Sequence, residues 1–423
     1  MLRTCQLFLI AAALWLPGHA AGETLSLDAA KARALEHNPG LAEMRERYAA
    51  LAEIVPQQAA LPDPVVSLAA ANFPWDEFDR NQEPMTQLQV GVSQTFPFPG
   101  KRDLAAEVAD FEAEAARFGV EELRLALARR VAVAWWQVFY LDRSLETVER
   151  NQVLLRQFVE VARTKYEVGS GLQQDVLLAQ LELSKLLDQA IRVDAMREDR
   201  AIQLNLLMGE PPDRAVELPG QQPVELQPLA SRSWLYARAV ETRPLLQSQQ
   251  AIVRASESRL ELARKDYFPD VTVGVRYGQR DEDDLGRSRQ DFLSVMLSMQ
   301  VPLYSGSKQD RQLSQREREL ARSQYALADE RNRILSTIAG AATDYRRASE
   351  QLALFEKGII PQARQTVESM LAGYQVNEVD FLNLVGAQVT LLNYELQYWQ
   401  TWTEANQAIA RLQAAVGEEN VHE

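Results

Sequence analysis

The sequence has very little of the chemistry that metal sites, disulfides and most enzymes require. Its 423 residues include one cysteine and three histidines. Cys5 and His19 both lie in an N-terminal stretch, residues 1–20, that we expect to be removed as a secretory signal. The processed chain then has no thiol, and only His37 and His422 remain. We therefore expect no disulfide, no zinc or copper site built from nitrogen and sulfur ligands, and no cofactor.

Catalytic motifs and an excess of basic charge are missing as well. The chain contains no GxSxG, HExxH or phosphate-binding P-loop sequence, so we expect that it is not an enzyme. Its formal net charge is −14. This charge argues against nucleic acid as a partner, because the phosphate backbone requires a basic surface.

Long apolar runs occur only at the N-terminus. Arg3 precedes a short apolar run, Leu7–Leu16, and small residues at Gly18 and Ala20 then fit a cleavage site after Ala20. Every later long segment carries charges at short intervals, so none is predicted to cross a membrane as a helix. The pattern predicts an exported protein.

Proline and glycine are almost absent from the stretch around which the chain is organised. Between Asp103 and Tyr166 there is no proline and one glycine, Gly119. Apolar residues recur there every three or four positions, which is the period of one helical face. A helix of roughly 65 residues would be about 100 Å long. Such a helix needs partner helices along its whole length, as in a coiled coil or an elongated bundle.

The chain also repeats itself at an offset of about 205–208 residues. The segment LPDPVVSL at Leu61 matches FPDVTVGV at Phe268, and KYEVGSGLQQDVLLAQLEL at Lys165 matches GYQVNEVDFLNLVGAQVTL at Gly373. Each half is predicted to run helix, strand, loop, strand, very long helix, tight turn, medium helix. The second long helix contains Pro361, so we expect a bend near Ile360.

This repeat divides the chain into a signal, two structural repeats, a linker and a tail. The predicted ranges are 1–20 (signal), 21–210 (first repeat, strands about 65–72 and 87–96, long helix about 101–166), 211–230 (linker), 231–417 (second repeat, strands about 271–277 and 292–301, long helix about 308–374) and 418–423 (tail). The fold class is thus mainly α with a small β part. Four strands cannot close a barrel by themselves, so they form either a small soluble sheet or one part of a sheet shared between copies.

These features resemble a known family, the TolC-like outer-membrane efflux proteins. The resemblance rests on the two tandem halves, on the sequence PFPGKR at Pro97–Arg102 and on the Tyr-x-Val-Gly sequence at Tyr166–Gly169, and it extends over essentially the whole mature chain. The stretch Ile359–Gln388 looks especially like the CzcC/CusC branch, which serves heavy-metal pumps.

The resemblance implies an architecture and a set of partners. Three chains would pool four strands each into one 12-stranded outer-membrane β-barrel, and their helices would form a trimeric α-helical barrel, a periplasmic tunnel. The far end of the tunnel would meet a periplasmic adaptor, or membrane fusion protein, and an inner-membrane pump of the RND type. The protein would be a passive conduit in contact with outer-membrane lipid, carrying heavy-metal cations out of a Gram-negative cell.

The resemblance also marks candidate residues at the two helix-to-helix turns, which would form the periplasmic tip. Asp175 falls on an aspartate that takes part in closing the tip in this family. In the second turn the paired family aspartates fall on Asn383 and Gly386, so the match fails there. Glu378 and Asp380 lie close by and could supply a ring of carboxylates that favours cations. The alternative is that both are solvated turn residues, with Asp380 capping the next helix.

Two further pairs fall where adaptors meet the tip in this family. Val168 and Gly169 match the adaptor-contact sequence, and Val376 and Asn377 occupy the same place in the second turn. Asparagine tolerates the left-handed backbone that glycine would adopt, so the second turn can keep its shape. A purely structural turn is an equally good explanation of both pairs.

Other interpretations stay open at the level of sequence. The chain could be a multidrug channel or a channel for type I secretion, since the resemblance does not name the substrate. A periplasmic coiled-coil adaptor without a barrel would explain the helices but not the two recurring pairs of strands. The aromatic residues in mid-helix, Trp135, Trp136 and Phe139 with Trp399 and Trp402, are predicted to pack between helices.

Overall fold

A computed structural model describes residues 24–76, 78–220, 226–283 and 285–422. The predicted signal, residues 1–20, lies outside the described residues. The described chain is mainly helical with one small antiparallel sheet, which confirms the expected fold class. The elements of the first half are α1 Leu27–His37, α2 Pro39–Ala52, α3 Ile54–Ala59, β1 Val65–Ala71, β2 Gln87–Phe96, α4 Lys101–Glu167 and α5 Gln173–Met208. Those of the second half are α6 Arg232–Thr242, α7 Pro244–Lys265, β3 Val271–Gln279, β4 Phe292–Met299, α8 Gln309–Leu354, a π-helical turn Phe355–Ile359, α9 Ile360–Gln375 and α10 Phe381–Val416.

The long helix α4 spans 67 residues, or about 100 Å. It follows Gly100, whose φ of 85° lies in the left-handed region, so the chain turns sharply from β2 into the helix. Three other helices, α5, α7 and α10, pack against α4. The helix places the sheet at one end of the molecule and the α4–α5 turn at the other.

The sheet has the order β1-β2-β3-β4, and every neighbouring pair is antiparallel. The central pair joins the two halves of the chain, with Val92 of β2 opposite Val275 of β3. β1 and β4 are the edge strands. Within the described residues, the outer edges of β1 and β4 have no strand partner.

The core follows the helices in three apolar clusters. One of them brings α4 against α10 through aromatic side chains: Trp136 lies 5.5 Å from Trp402 and Phe139 lies 6.0 Å from Trp399, measured between ring centroids. Trp135 is fully buried and donates its indole N–H to the carbonyl of Leu25 at 2.9 Å. These aromatic residues therefore do pack between helices, as the sequence predicts.

The corner between α1 and α2 packs against the end of α5. Asn38 caps α2 by accepting from the N–H groups of Gly40 and Leu41, and its amide donates to the carbonyl of Leu207 at the end of α5. Gly209 ends α5 with a φ of 71°, and a Cβ there would lie 2.6 Å from the carbonyl oxygen of His37. Glycine is required at this position by both the backbone angle and the close approach.

The second long helix differs from the prediction of one continuous element over 308–374. α8 ends at Leu354, the π-helical turn occupies Phe355–Ile359, and α9 continues to Gln375. Proline at position 361 lacks the N–H of a regular helical bond, and a π turn accommodates that loss without ending the helix. The interruption lies just before the residue at which the sequence predicts a bend.

Two strands are shorter than the sequence predicts. β1 ends at Ala71 because Asn72 adopts a positive φ of 57°. β4 ends at Met299 rather than Val301, since Pro302 cannot donate to a ladder and Val301 accepts a turn hydrogen bond from Leu303. Among the helices in the described ranges, none is both long enough and apolar enough to cross a membrane.

Candidate functional site

The first candidate region is the sheet, one face of which is apolar and exposed. The register aligns rows of side chains across the four strands: Val66, Val92, Val275 and Val295 lie opposite one another in turn. The next row is similar, with Leu68, Val90, Tyr277 and Leu293. All eight of these side chains are exposed, by 42–81%. A continuous exposed apolar face of this kind indicates contact with lipid or with another protein.

The opposite face carries mainly small and polar side chains, although Met296 of β4 also lies on it. Ser67, Gly91, Arg276 and Ser294 form one row across the sheet. A Cβ at Gly91 would lie 2.9 Å from the Ser67 hydroxyl, so glycine leaves room for the Ser67 side chain of the neighbouring strand. The sheet is thus two-sided, with apolar residues on one face and polar residues on the other, which is the alternation of a membrane barrel strand.

A set of polar contacts fastens the sheet to the helices. The Asp270 carboxylate, just before β3, accepts from the backbone N–H of Phe98 at 2.8 Å and from the Lys101 ammonium at 2.9 Å. These two bonds hold the pKa of Asp270 below its ordinary value, against the opposing effect of burial. The rings of Phe98 and Phe268 stack beside them at 4.5 Å. The same junction of α4 and β3 therefore sets the direction of the sheet relative to the helices.

The second candidate region is the pair of turns at the far end of the helices. Both turns have the same backbone. In the first, Ser170 donates to the Lys165 carbonyl and Gly169, with a φ of 76°, donates to the Tyr166 carbonyl. This is a Schellman ending of α4.

The turn that ends α9 repeats this pattern 208 residues later. Glu378 donates to the carbonyl of Gly373, and Asn377 donates to that of Tyr374. Asn377 adopts the left-handed φ, at 66°, that Gly169 adopts in the first turn. The turn is kept although glycine is replaced, because asparagine tolerates this backbone.

The two turns are joined by side chains. The Tyr374 hydroxyl donates to Asp175 Oδ2 at 3.3 Å. Burial raises the pKa of Tyr374 to about 12, and the neighbouring Asp175 carboxylate adds to the effect. The hydroxyl therefore stays protonated and able to donate until the pH rises through about 12. Lys165 donates to the backbone carbonyl of Tyr374, and its ammonium lies 4.4 Å from the centroid of the Tyr374 ring.

The remaining candidates lie on the surface of the tip. Asp380 occupies the position before α10, but its side chain makes no capping hydrogen bond, so the capping explanation is not supported by a contact. Glu378 and Asn383 are exposed. A cavity of about 620 Å³ lies between the two turns, with Asp175, Asp380 and Lys165 among its lining residues. The structure therefore brings Asp175 and Asp380 to one cavity.

The predicted adaptor residues are exposed apolar side chains beside this cavity. Val168 is 72% exposed and Val376 is 66% exposed. Gly169 and Asn377 carry the left-handed turns next to them. Sequence reasoning named these four residues and Asp175 but missed Lys165 and Tyr374. The matching positions of Tyr166 and Tyr374 in the repeat were the available signal, whereas the contact between Lys165 and a backbone carbonyl 209 positions away has no signature in a single sequence.

Within the described ranges, no cluster of three or more histidine, cysteine, aspartate or glutamate residues is arranged to hold a metal ion.

Comparisons with known proteins agree with these features. Three curated proteins are similar in sequence. The chain is 21% identical to the outer membrane protein TolC of Vibrio cholerae, over 90% of this chain and 89% of that protein. It is 18% identical to the cobalt-zinc-cadmium resistance protein CzcC of Cupriavidus metallidurans, over 95% and 92%. It is 22% identical to the alkaline protease secretion protein AprF of Pseudomonas aeruginosa over 62% of this chain, and this match spans just over half, 56%, of AprF.

Solved structures share the fold at low sequence identity. The outer-membrane channel OprN superposes with a TM-score of 0.79 at 18% identity, over 92% of this chain and 89% of that chain. A crystal structure of CusC gives a TM-score of 0.79 at 14% identity, over 93% and 92%.

A family model described as outer membrane efflux protein matches residues 31–210 and 235–418, which together make up most of the chain. This match confirms the resemblance seen in the sequence and the expectation that the protein is not an enzyme. The chain belongs to the outer membrane efflux protein family.

Proposed function

We propose that three copies of this chain form one outer-membrane channel, the exit duct of a tripartite efflux system that exports heavy-metal cations. An inner-membrane pump of the RND type would drive transport, and a periplasmic adaptor would connect the pump to the tip. The channel itself is passive. The observation that carries the proposal is a sheet with an exposed apolar face and two edges that lack partners in the described chain, set at one end of helices about 100 Å long.

The sheet supports the assembly because neither of its features is stable in isolation. Unpaired edge groups carry a free-energy cost in lipid, where no water can bond them, and an exposed apolar face carries one in water. Pairing of β4 in one copy with β1 in the next would satisfy both edges, and three copies would supply 12 strands. The apolar face would then contact lipid, and the polar face with Arg276 and Ser294 would line the lumen.

The tip supports a gate. Asp175 already holds the second turn through Tyr374, so separation of the two turns requires this bond to break. Asp380, Glu378 and Asn383 lie on the tip surface, where three symmetry-related copies would form rings around a narrow opening. Rings of carboxylates favour cations and raise one another's pKa.

The exposed side chains of Val168 and Val376, with the turns at Gly169 and Asn377, are proposed as the contacts of the adaptor. Apolar groups at the protruding end of a polar helical body suit a partner that packs over them. Both turns present the same shape, so one adaptor surface could bind either turn.

The cargo is the finer part of the proposal. CzcC, to which 95% of the chain aligns, is named for cobalt, zinc and cadmium resistance, and this match favours metal cations. AprF is named for secretion of a protease, and its match favours protein export as the second candidate function.

Susceptibility of a deletion strain tests the choice of cargo. We expect the strain to lose tolerance to divalent heavy metals and to keep normal tolerance to dyes, detergents and antibiotics. The wild-type gene should restore metal tolerance, and Val295→Arg, which we expect to assemble in much reduced yield, should restore it far less. Broad drug sensitivity with normal metal tolerance would refute the cargo while leaving the channel. Loss of an exported protein from the medium would instead favour the secretion function.

A further inference from the structure

Lys165 is a charged residue whose contacts are made across the tip. It lies on the last turn of α4, and its ammonium donates to the Tyr374 carbonyl and approaches the Gln375 carbonyl at 3.5 Å. Both carbonyls belong to the last turn of α9. The Tyr374 carbonyl also accepts the N–H of Asn377 at 3.3 Å, and its second lone pair is available to the ammonium. A cation at this end is favoured by the helix dipole as well as by the hydrogen bonds.

The face of the Tyr374 ring completes the seat of the ammonium, at 4.4 Å from the ring centroid. Tyr374 is buried, and its hydroxyl points to Asp175 of the first turn. The charged groups around the seat are therefore Lys165 and Asp175 from the first turn, and Asp380 from the second, which lines the same cavity. The cavity is thus lined by one ammonium and two carboxylates, and the ammonium bonds the negative end of α9.

The first turn is shaped to admit this lysine. A Cβ on Gly171 would lie 2.8 Å from the Lys165 Cβ and 3.2 Å from its backbone, so only glycine fits beside it. The equivalent pair in the second turn is reversed: Gly373 lies where Lys165 would be, and a Cβ there would lie 2.6 Å from Val379. In each turn one of these two positions is glycine and the other carries a side chain, Lys165 in the first turn and Val379 in the second. Only the first turn therefore carries a cation here, and this cation reaches the other turn.

The other end of α9 is the π-helical turn Phe355–Ile359, followed by Pro361. Interrupted helical bonding of this kind is where a helix changes direction most easily. α9 is therefore a 16-residue helix that can bend at its N-terminal end, while Lys165 holds the backbone of its C-terminal end.

We propose that Lys165 is a latch: a positioning residue that holds the end of α9 against α4 and keeps the tip closed at rest. This inference rests on the proposed channel function. Because Lys165 binds backbone carbonyls, its hydrogen bonds do not depend on which side chains the second turn carries, and only the ring contact depends on Tyr374. Opening requires the ammonium to leave the carbonyls of α9 before the two turns separate.

The test is the conductance of purified channels in planar lipid bilayers, without adaptor or pump. Lys165→Met keeps the length of the side chain and removes its charge. We expect open probability to rise by at least about tenfold, the change that corresponds to loss of one charge-assisted hydrogen bond in one of the three chains. Lys165→Arg should conduct much like the wild type, since arginine can also bond the last carbonyls of a helix. Arg163→Met is the matched control, because Arg163 is exposed and pairs only with Glu167 of its own helix.

Gly171→Ala tests the same latch without removal of the lysine, and it keeps the proposal falsifiable if Lys165→Met fails to assemble. The added methyl group should displace Lys165 and raise open probability, although less than Lys165→Met. Equal conductance of the wild type, Lys165→Met and Gly171→Ala would overturn the latch. So would a rise of the same size in the Arg163→Met control. If neither the wild type nor any variant conducted, the proposed channel itself would fail.

Discussion

The orientation of the sheet can be tested with one arginine on each of its faces. Val295 lies in the middle of β4, opposite Val275, and is 74% exposed in the isolated chain. Its neighbour Met296 lies on the other face, opposite Gly274. If the apolar face contacts lipid, Val295→Arg places a charge near the middle of the membrane, whereas Met296→Arg places the same charge in the lumen.

The expected loss of stability depends on how deep in the membrane the arginine lies. An arginine on the lipid face of a barrel costs roughly 2–4 kcal/mol at the bilayer midplane and about 0–1 kcal/mol near the interfaces. β4 has eight residues, from Phe292 to Met299, so Val295 is as far from both ends as the strand allows. We therefore expect about 2–4 kcal/mol per chain, and about three times that for an assembly of three chains, from Val295→Arg.

The assay compares both variants in isolated outer membranes, by yield and by the temperature at which the assembly dissociates in detergent. Val295→Arg should sharply reduce the yield and lower the dissociation temperature, while Met296→Arg should behave much like the wild type. Equal damage from the two substitutions, or none from Val295→Arg, would refute the assignment of the apolar face to lipid.

Three further predictions concern the helical body. Tyr374→Phe removes the bond to Asp175, and because the pKa of Tyr374 is about 12, bilayer recordings should show a rise in open probability that is the same at pH 6 and pH 9. Arg243→Met leaves the buried Glu122 carboxylate without its partner at 2.6 Å, so we expect a loss of roughly 3–5 kcal/mol, seen as a lower thermal midpoint. Burial raises the pKa of Glu122, so this loss should shrink as the pH falls through that raised value and the carboxylate is neutralised; an equal loss at pH 5 and pH 8 would contradict the reasoning. Gly209→Ala forces a side chain into a left-handed backbone against the His37 carbonyl, so we expect a loss of stability of more than about 1 kcal/mol in the same melting assay. A smaller loss would show that the corner can relax.

The buried pair of Arg243 and Glu122 also shows why the two halves are not interchangeable. Arg243 occupies the place in the second half that Asn38 occupies in the first, and each precedes a proline that begins a helix. Asn38 caps its own helix, whereas Arg243 reaches α4 of the first half. Burial lowers the pKa of Arg243 and raises that of Glu122, so each charge is held at a cost that its partner only partly offsets. The pair is better explained as a link that specifies how the halves meet than as a source of net stability.

Periodic features of the sequence predict much of this fold. The long helix α4 starts at the predicted residue and extends one residue beyond the predicted end, because its apolar spacing and its lack of proline leave few alternatives. Local exceptions are harder to predict. Asn72 ends β1 through a positive φ, and the π turn before Pro361 depends on how α8 and α9 share their hydrogen bonds.

The residues of the tip also divide into those that the sequence predicts and those that it does not. Asp175, Val168 and Asn377 could be named because the resemblance to the family marks the turns in which they occur. The partner of Asp175 could not be, because Tyr374 lies 199 residues away and only the packing of the two helical pairs brings them together. Lys165 was missed for the same reason, since its acceptors are backbone carbonyls that every residue possesses.

The central claim is that several chains share one barrel, and the mass of the native assembly tests it most directly. The protein would be extracted from outer membranes in mild detergent and measured by native mass spectrometry. The account predicts a complex of three identical chains. A folded monomer in the outer membrane would contradict it, because one chain supplies only four strands with two edges that the described structure leaves without partners.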